Sequence, residues 1–581
     1  MRALLFSTAL AAGLIALPAT VLARQPADHS AHAATEGPAM NHGAMRAPGA
    51  PMPAIYMGQA DKPGAPVFDG LGDHHHPIST ANPTTQKLFD QGVKLLFGFN
   101  HAEAIRSFRE AARQDPDCAM CWWGVAFALG PNINLPMPED AVAPAWEAIS
   151  RAQALKAKAS PRERRWIEAL AARYSPDPKA DRAAMDAAFA DAMGAIWRSD
   201  PTDVDAGTFY AEAMMDTQPW DYWEADAATP KGRGAEILAV LEDVLAKAPD
   251  HPGALHLYIH AVEASTTPER AEAAADRLLP LMPKAGHIVH MPSHIYYRVG
   301  RYADAAKANE MAALMDEEYI LACKAQGFYP AGYYGHNIHF LWTSAEMEGR
   351  RETSHAAARR LVKAVDAEAT AADLPLAELF VFTPAVNLLR FGQWREILAE
   401  APPPETLKLD TAMWRYVHGF AAANTGDRAT ALADRTALAA LTEADYSPFD
   451  AFGVPAKAMT QVALAMLDGE IARLDGNLDA AIVSFRRAQE IERRLPYTEP
   501  AYWHQPVAHY LGAALMQAGR PAEAEAVYRD SLKHYRRDGW ALFGLAQALE
   551  AQGKAAEAAQ ATAAHKEAFR LADVTLTSSR F

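Results

Sequence analysis

An alanine, an aromatic, an alanine and a proline stand at offsets 0, 4, 7 and 12 in Ala104, Phe108, Ala111 and Pro116, and the same phase returns far along the chain. Gly300-Arg301-Tyr302-Ala303-Asp304-Ala305 is followed by Ala312, Gly476-Asn477-Leu478-Asp479-Ala480-Ala481 by Phe485 and Ala488, and Gly519-Arg520 by Ala524 and Tyr528. Small residues seven apart share one helix face and let an antiparallel neighbour approach closely, while the aromatic fills the gap between them. No stretch alternates convincingly with period two, so the chain is predicted all-α, a series of helical hairpins without a sheet. Such a unit cannot bury its apolar face alone. Stacking on its neighbours does so, which makes a solenoid the expected architecture.

The pattern resembles the second helix of the tetratricopeptide repeat, and Trp122 falls where the first-helix aromatic of the following repeat belongs. Leu511-Gly512 with Leu515, and Trp540 with Phe543-Gly544, mark two late first helices. The chain also resembles a group of secreted bacterial tetratricopeptide proteins of unassigned activity. The residues that carry this are Phe99-Asn100-His101-Ala102-Glu103-Ala104, Gly130-Pro131-Asn132-Ile133-Asn134 and His290-Met291-Pro292-Ser293-His294-Ile295-Tyr296. That likeness implies fold and export and brings no reaction with it. The expected organisation is a signal peptide at 1–23, a disordered Pro/His/Met-rich tail at 24–82, a solenoid with a histidine-lined groove at 83–350, irregular helical repeats at 351–470 and further repeats at 471–575. Pro402-Pro403-Pro404 and Leu495-Pro496-Tyr497-Thr498-Glu499-Pro500 read as breaks, which allows two lobes.

The signal reading rests on Arg2, an apolar run from Leu4 to Leu17, and Val21-Leu22-Ala23 before Arg24, so cleavage is expected after Ala23 and the protein in the periplasm or outside the cell. No later run is long and apolar enough for a membrane span. A net charge of −16 argues against nucleic acid or an anionic membrane as the main partner and is compatible with metal ions. In the tail, His29, His32, Met40, His42, Met45, Met52 and Met57 supply imidazole and thioether, which suit copper; a linker whose Met and His are incidental is the competing reading. Cys118 and Cys121 form a C-x-x-C followed by Trp122, which excludes haem attachment and leaves a local disulfide, a redox pair or a soft metal contact.

Seven of the 21 histidines fall between His256 and His339. His256 and His260, then His287, His290 and His294, then His336 and His339 each share a helix face. Aligning Gly300-Arg301-Tyr302 with Gly349-Arg350-Arg351 puts His336 and His339 at the positions of His287 and His290, and His256 falls within a residue of the same position. The three stripes are thus equivalent positions of consecutive first helices, the ones that line the groove of such a repeat. Transition-metal binding by copper or zinc is one reading, and hydrogen-bonded packing is the competing one. Pro292 should kink its helix between His290 and His294 unless that helix starts at Ser293. Tyr296, Tyr297, Tyr333, Tyr334 and Asn337 would bring groove-facing contacts for a protein or peptide partner. Glu263 would ligate, orient an imidazole or act as a base in a metal-dependent enzyme. His256-Leu257-Tyr258-Ile259-His260 lacks the glutamate of the zinc-peptidase motif, so a peptidase reading by that motif fails.

Overall fold

The computed structural model describes residues 56, 60, 62, 64–325, 329–364, 378–450 and 453–581. The signal peptide and most of the Met/His tail lie outside the described residues. Among those described there is no strand, only the isolated bridges Asn132 to Leu135 and Trp223 to Pro230. Helices pair as antiparallel hairpins, beginning with Pro83–Phe97 and His101–Gln114. Asn82 and Asn100 cap these two, each accepting a backbone N–H of the first turn through its side-chain oxygen. Positive-φ glycines turn the later hairpins, Gly300 (φ 79°) closing Pro292–Val299 before Tyr302–Cys323 begins.

The alanine and aromatic pattern has a direct steric meaning. Phe108 sits between Gly92 and Gly124, where an added Cβ would come within 2.4 and 2.6 Å of its ring. Tyr528 sits in the same way between Gly512 and Gly544, and Phe485 against Gly469. One aromatic from a second helix is thereby clasped by the glycines of the first helices on either side. The stretch 351–470, expected to be irregular, contains a regular hairpin of Lys408–Asn424 and Arg428–Leu441. Buried apolar residues form two large clusters. One runs from Tyr56 to Tyr333 and the other from Ala306 to Ala561, so the two meet near residues 306–333 and both proline breaks lie within the second.

Residues 64–82, assigned from composition to the tail, are packed along the first lobe. Leu71 and His76 are buried, and His74, His76 and His251 gather on Asp205 at 3.2, 2.7 and 2.9 Å. Burial would raise the Asp205 carboxyl, but hydrogen bonds from His251, His74 and His76 hold it well below the usual carboxylate range. Composition misled here because Pro, Gly and His also suit an extended strap whose bonds go to distant helices. At the other end Arg580, buried, pairs with Glu470, and Ser579 bonds Tyr528 (2.7 Å), so the chain's last residues lie against the second lobe. Cys118 and Cys121 are disulfide-bonded at the start of helix Ala119–Ala128, and Cys323 is free and buried.

Burial pushes the His101 imidazole from 6.5 down to about 4. A group depressed in this way stays neutral in the folded chain while the unfolded chain takes up its proton. Its stabilisation is complete above about 6.5 and is lost as pH falls toward 4. Urea midpoints between pH 7 and 4 should therefore fall. His101→Gln should flatten that fall by up to about 1.4 kcal/mol per pH unit, and an unchanged slope would refute the assignment.

Candidate metal centre

Three first helices carry the histidines, as the phasing required. His256, His260 and Glu263 come from Pro252–Glu263; His287 and His290 from Gly286–His290; His294 from Pro292–Val299; His336 from Gly335–Met347. The Pro292 helix is divided rather than bent in its interior. Pro292 opens the second segment, where its missing N–H costs nothing, and Met291 keeps helical angles (φ −51°, ψ −39°) so the two pieces nearly continue. A π-helical turn, Tyr329–Tyr334, leads into the His336 helix and places Tyr333 against His287, ring centroids 4.5 Å apart.

The imidazoles are oriented from behind. His256 Nδ1 donates to the Phe97 carbonyl (2.6 Å), His260 Nδ1 to Glu263 Oε1 (2.7 Å), His290 Nδ1 to Asn309 Oδ1 (2.6 Å) and His294 Nδ1 to Glu263 Oε2 (2.7 Å). In His256, His260 and His290 the bond fixes a tautomer and leaves Nε2 as the inward lone pair, whereas His294 faces His290 Nε2 across 2.9 Å with a proton between them. His256, His260 and His287 present ligand nitrogens within 4.8 Å of one another. Their inward atoms, His256 Nε2, His260 Nε2 and both nitrogens of His287, are buried without a hydrogen-bond partner. Phe99 walls this set. Its backbone is held left-handed (φ 52°), and its ring lies 4.6 Å from His256 and 5.4 Å from His287. Such a backbone in a bulky residue costs about 1–3 kcal/mol, and the surrounding packing must hold it.

Electrostatics keep the set neutral. Burial pushes His256, His287, His290 and His336 well below the ordinary imidazole value, aided by their neighbours' charges, and burial lowers His260 too. A neutral imidazole is the form that binds metal. His294 differs. Burial lowers it, but Glu263 and Glu499 more than offset this and hold it up to about 10. Burial would raise Glu263, yet His294 and His260 bring it down to about 2.

Similarity to known proteins agrees with the hairpins. Residues 506–548 match the family model described as Tetratricopeptide repeat. That segment is a tetratricopeptide repeat. The matched segment spans the Val507–Gln517 and Pro521–His534 hairpin and most of Gly539–Ala551, the place where Gly512 and Gly544 clasp Tyr528. No curated protein matches the sequence. Among solved structures, the human IFIT1 dimer with m7Gppp-AAAA is 14% identical, with 85% of this chain and 91% of that one covered at a TM-score of 0.31. The APC/C hetero-tetramer Cut9-Hcn1 is 14% identical, with 80% and 76% covered at a TM-score of 0.30. Both superpositions are too loose to match residue with residue.

The expected groove is here a largely buried chamber. His290 is 0% exposed and His294 3%, and a cavity of about 60 Å3 lies among Glu263, His260, His287, His294, His336 and Tyr333. The segment read as a break between repeats closes it, with Tyr497, Thr498 and Glu499 forming part of the wall. Glu499 Oε2 lies 3.2 Å from His294 Nδ1. Glu499, Trp220 and Asn134 were not expected at the site, because they come from inter-repeat loops that no periodicity phases. His339 leaves the cluster: its Nε2 meets His504 Nε2 at 3.0 Å and its ring stacks on Trp342.

The tyrosines separate as well. Tyr296 turns to Asp276 and Arg301, Tyr297 packs with Tyr302 and Phe340, Tyr334 bonds Glu317, and only Tyr333 reaches the chamber. Asn337 donates to Asp316 (2.7 Å). The helical angle turns Asn337, one residue past His336, about 100° away from it and Tyr296, two past His294, about 200° away, while Tyr297, three past His294, is taken up by Tyr302 and Phe340. Each Glu263 oxygen accepts from a histidine Nδ1, as an orienting group would, and Glu263 also stands with His294 and Glu499 in a further set of candidate metal ligands.

Proposed function

We propose that this repeat protein binds a transition metal ion, copper or zinc, through His256, His260 and His287. The observation that carries the reading is the group of buried, unpartnered imidazole nitrogens on these three residues. Leaving a buried polar atom unpaired costs about 1–3 kcal/mol. One such nitrogen from each of the three residues is a persistent cost in the empty chain, and an ion bound among them removes it. An all-imidazole set without thiolate suits copper and zinc rather than calcium or magnesium. Three protein donors also leave a coordination position open toward the chamber. The Met and His residues of the N-terminal segment would hand copper to this site in an exported protein.

The repeat architecture is consistent with a protein-interaction scaffold, and no described helix is long and apolar enough to cross a membrane. A peptide held by Tyr296 and Tyr334 has less support, because both side chains bond elsewhere on the protein.

Metal analysis of the purified full chain after desalting tests the proposal. Chelator-stripped protein given Cu(II) or Zn(II) at about 100 times Kd should gain about 2.7 kcal/mol of stability, and His256→Ala with His287→Ala should abolish that gain. Protein that retains neither metal and melts at the same temperature with and without them would sink the reading.

A further inference from the structure

The set just described is half of a larger arrangement. His290, His294 and His336 form a second set with ligand atoms again within 4.8 Å of one another. The two sets abut. Ring centroids of His260 and His294 are 5.7 Å apart and those of His287 and His290 5.8 Å, closer than the 6.4 Å between His260 and His287 inside the first set. One carboxylate joins them: Glu263 Oε1 orients His260 of the first set and Glu263 Oε2 orients His294 of the second. The chamber of about 60 Å3 is lined by two histidines from each set, His260 and His287 with His294 and His336.

We propose that the six histidines hold two metal ions side by side, one on His256, His260 and His287 and one on His290, His294 and His336, bridged by a hydroxide formed from a solvent water that gives up its proton to bulk solvent. The proposal rests on metal binding at the first set. Each ion would have three imidazole donors and an open position, and both open positions would face the same cavity, which has room for a few water-sized groups. Two-ion sites work with their ions about 3.5–4 Å apart. Three such donors around one ion need N···N separations of roughly 3.3–3.6 Å, from metal–nitrogen bonds of about 2.0–2.1 Å. His290 Nε2 and His294 Nε2 are 2.9 Å apart, the spacing of a shared proton. The ion therefore replaces that proton after a small outward rotation of the rings, and the proton leaves for solvent. Glu263, Glu499 and the bridging hydroxide supply negative charge against the ions, while the six imidazoles bind as neutral donors.

Chelator-stripped full-length protein loaded with Cu(II), desalted, and measured by metal analysis and electron paramagnetic resonance decides the matter. The wild type should hold two coppers per chain with most of the spin signal missing, because a bridged pair couples its two unpaired electrons. His336→Gln should hold one copper with the full signal of one spin, and His287→Gln should do the same. His336 is half-buried, and its replacement leaves the hydrogen bonds on Nδ1 of His256, His260, His290 and His294 in place. Metal-free melting of both variants checks that they fold, and the wild-type stoichiometry stands whether or not they do. One copper with a full signal in the wild type and in His336→Gln would overturn the pair and leave the single-ion reading intact. Two coppers with the signal of two spins would overturn the bridge. Retention of no copper by the wild type would remove both readings together.

Discussion

Glu263→Gln is expected to lower the affinity for Cu(II) or Zn(II) by about 10–100-fold, the range for losing a group that orients metal-binding histidines. The carboxylate accepts from two imidazoles at once, His260 Nδ1 and His294 Nδ1. A glutamine of the same shape keeps one acceptor and puts an amide N–H₂ where the other was. The imidazole facing that amide must then present a lone pair on Nδ1 and carry its proton on Nε2, the atom a metal needs. One set thus loses a donor while the side-chain volume is unchanged. Glu263→Ala should do more, because the His294 cation loses one of the two carboxylates that hold it up to about 10. Breaking a buried pair in this way costs about 3–5 kcal/mol. Competition titration against a chelator measures the first effect and urea unfolding the second. Unchanged affinity in Glu263→Gln would mean that the carboxylate does not set the imidazole tautomers.

Phe108→Ala should destabilise the metal-free protein by about 3–5 kcal/mol, the cost of emptying a large aromatic site that cannot collapse. Collapse is hindered because Gly92 and Gly124 offer no side chain to fall into the space. The converse change, Gly124→Ala, drives a methyl to within about 2.6 Å of the Phe108 ring and should itself cost about 1–3 kcal/mol. Combined with Phe108→Ala, the added methyl should be tolerated and the two costs should not add. Denaturant midpoints of the two single variants and the double variant test this coupling, and strict additivity would contradict the clasp.

These two predictions draw on different kinds of information. The hairpin around Phe108 was legible in the sequence, since an alanine, an aromatic and an alanine at fixed offsets predict it and the same phase around Phe485 and Tyr528 predicts the next ones, but the clasping Gly92 and Gly124 were found only in the structure. The phase also placed His256, His287 and His336 on consecutive first helices. Helical periodicity relates residues a few positions apart, and stacking repeats that relation at each step, so one dimension of the sequence carries both.

The sequence itself thus determined the all-helical repeat and the three histidine-bearing helices, because both follow from local spacing. It did not reveal that the groove closes. Tyr497, Thr498 and Glu499 return to histidines about two hundred residues earlier through a segment whose prolines read only as a break. Nor did it separate Tyr333 from Tyr334, or His336 from His339, since facing the chamber depends on the pitch and packing of each helix. Tertiary structure decided which imidazoles lose their water and which oxygen stands behind each Nδ1. Burial and orientation are properties of surfaces brought together over long chain separations, and they turn a stripe of histidines into two sets of donors around one carboxylate.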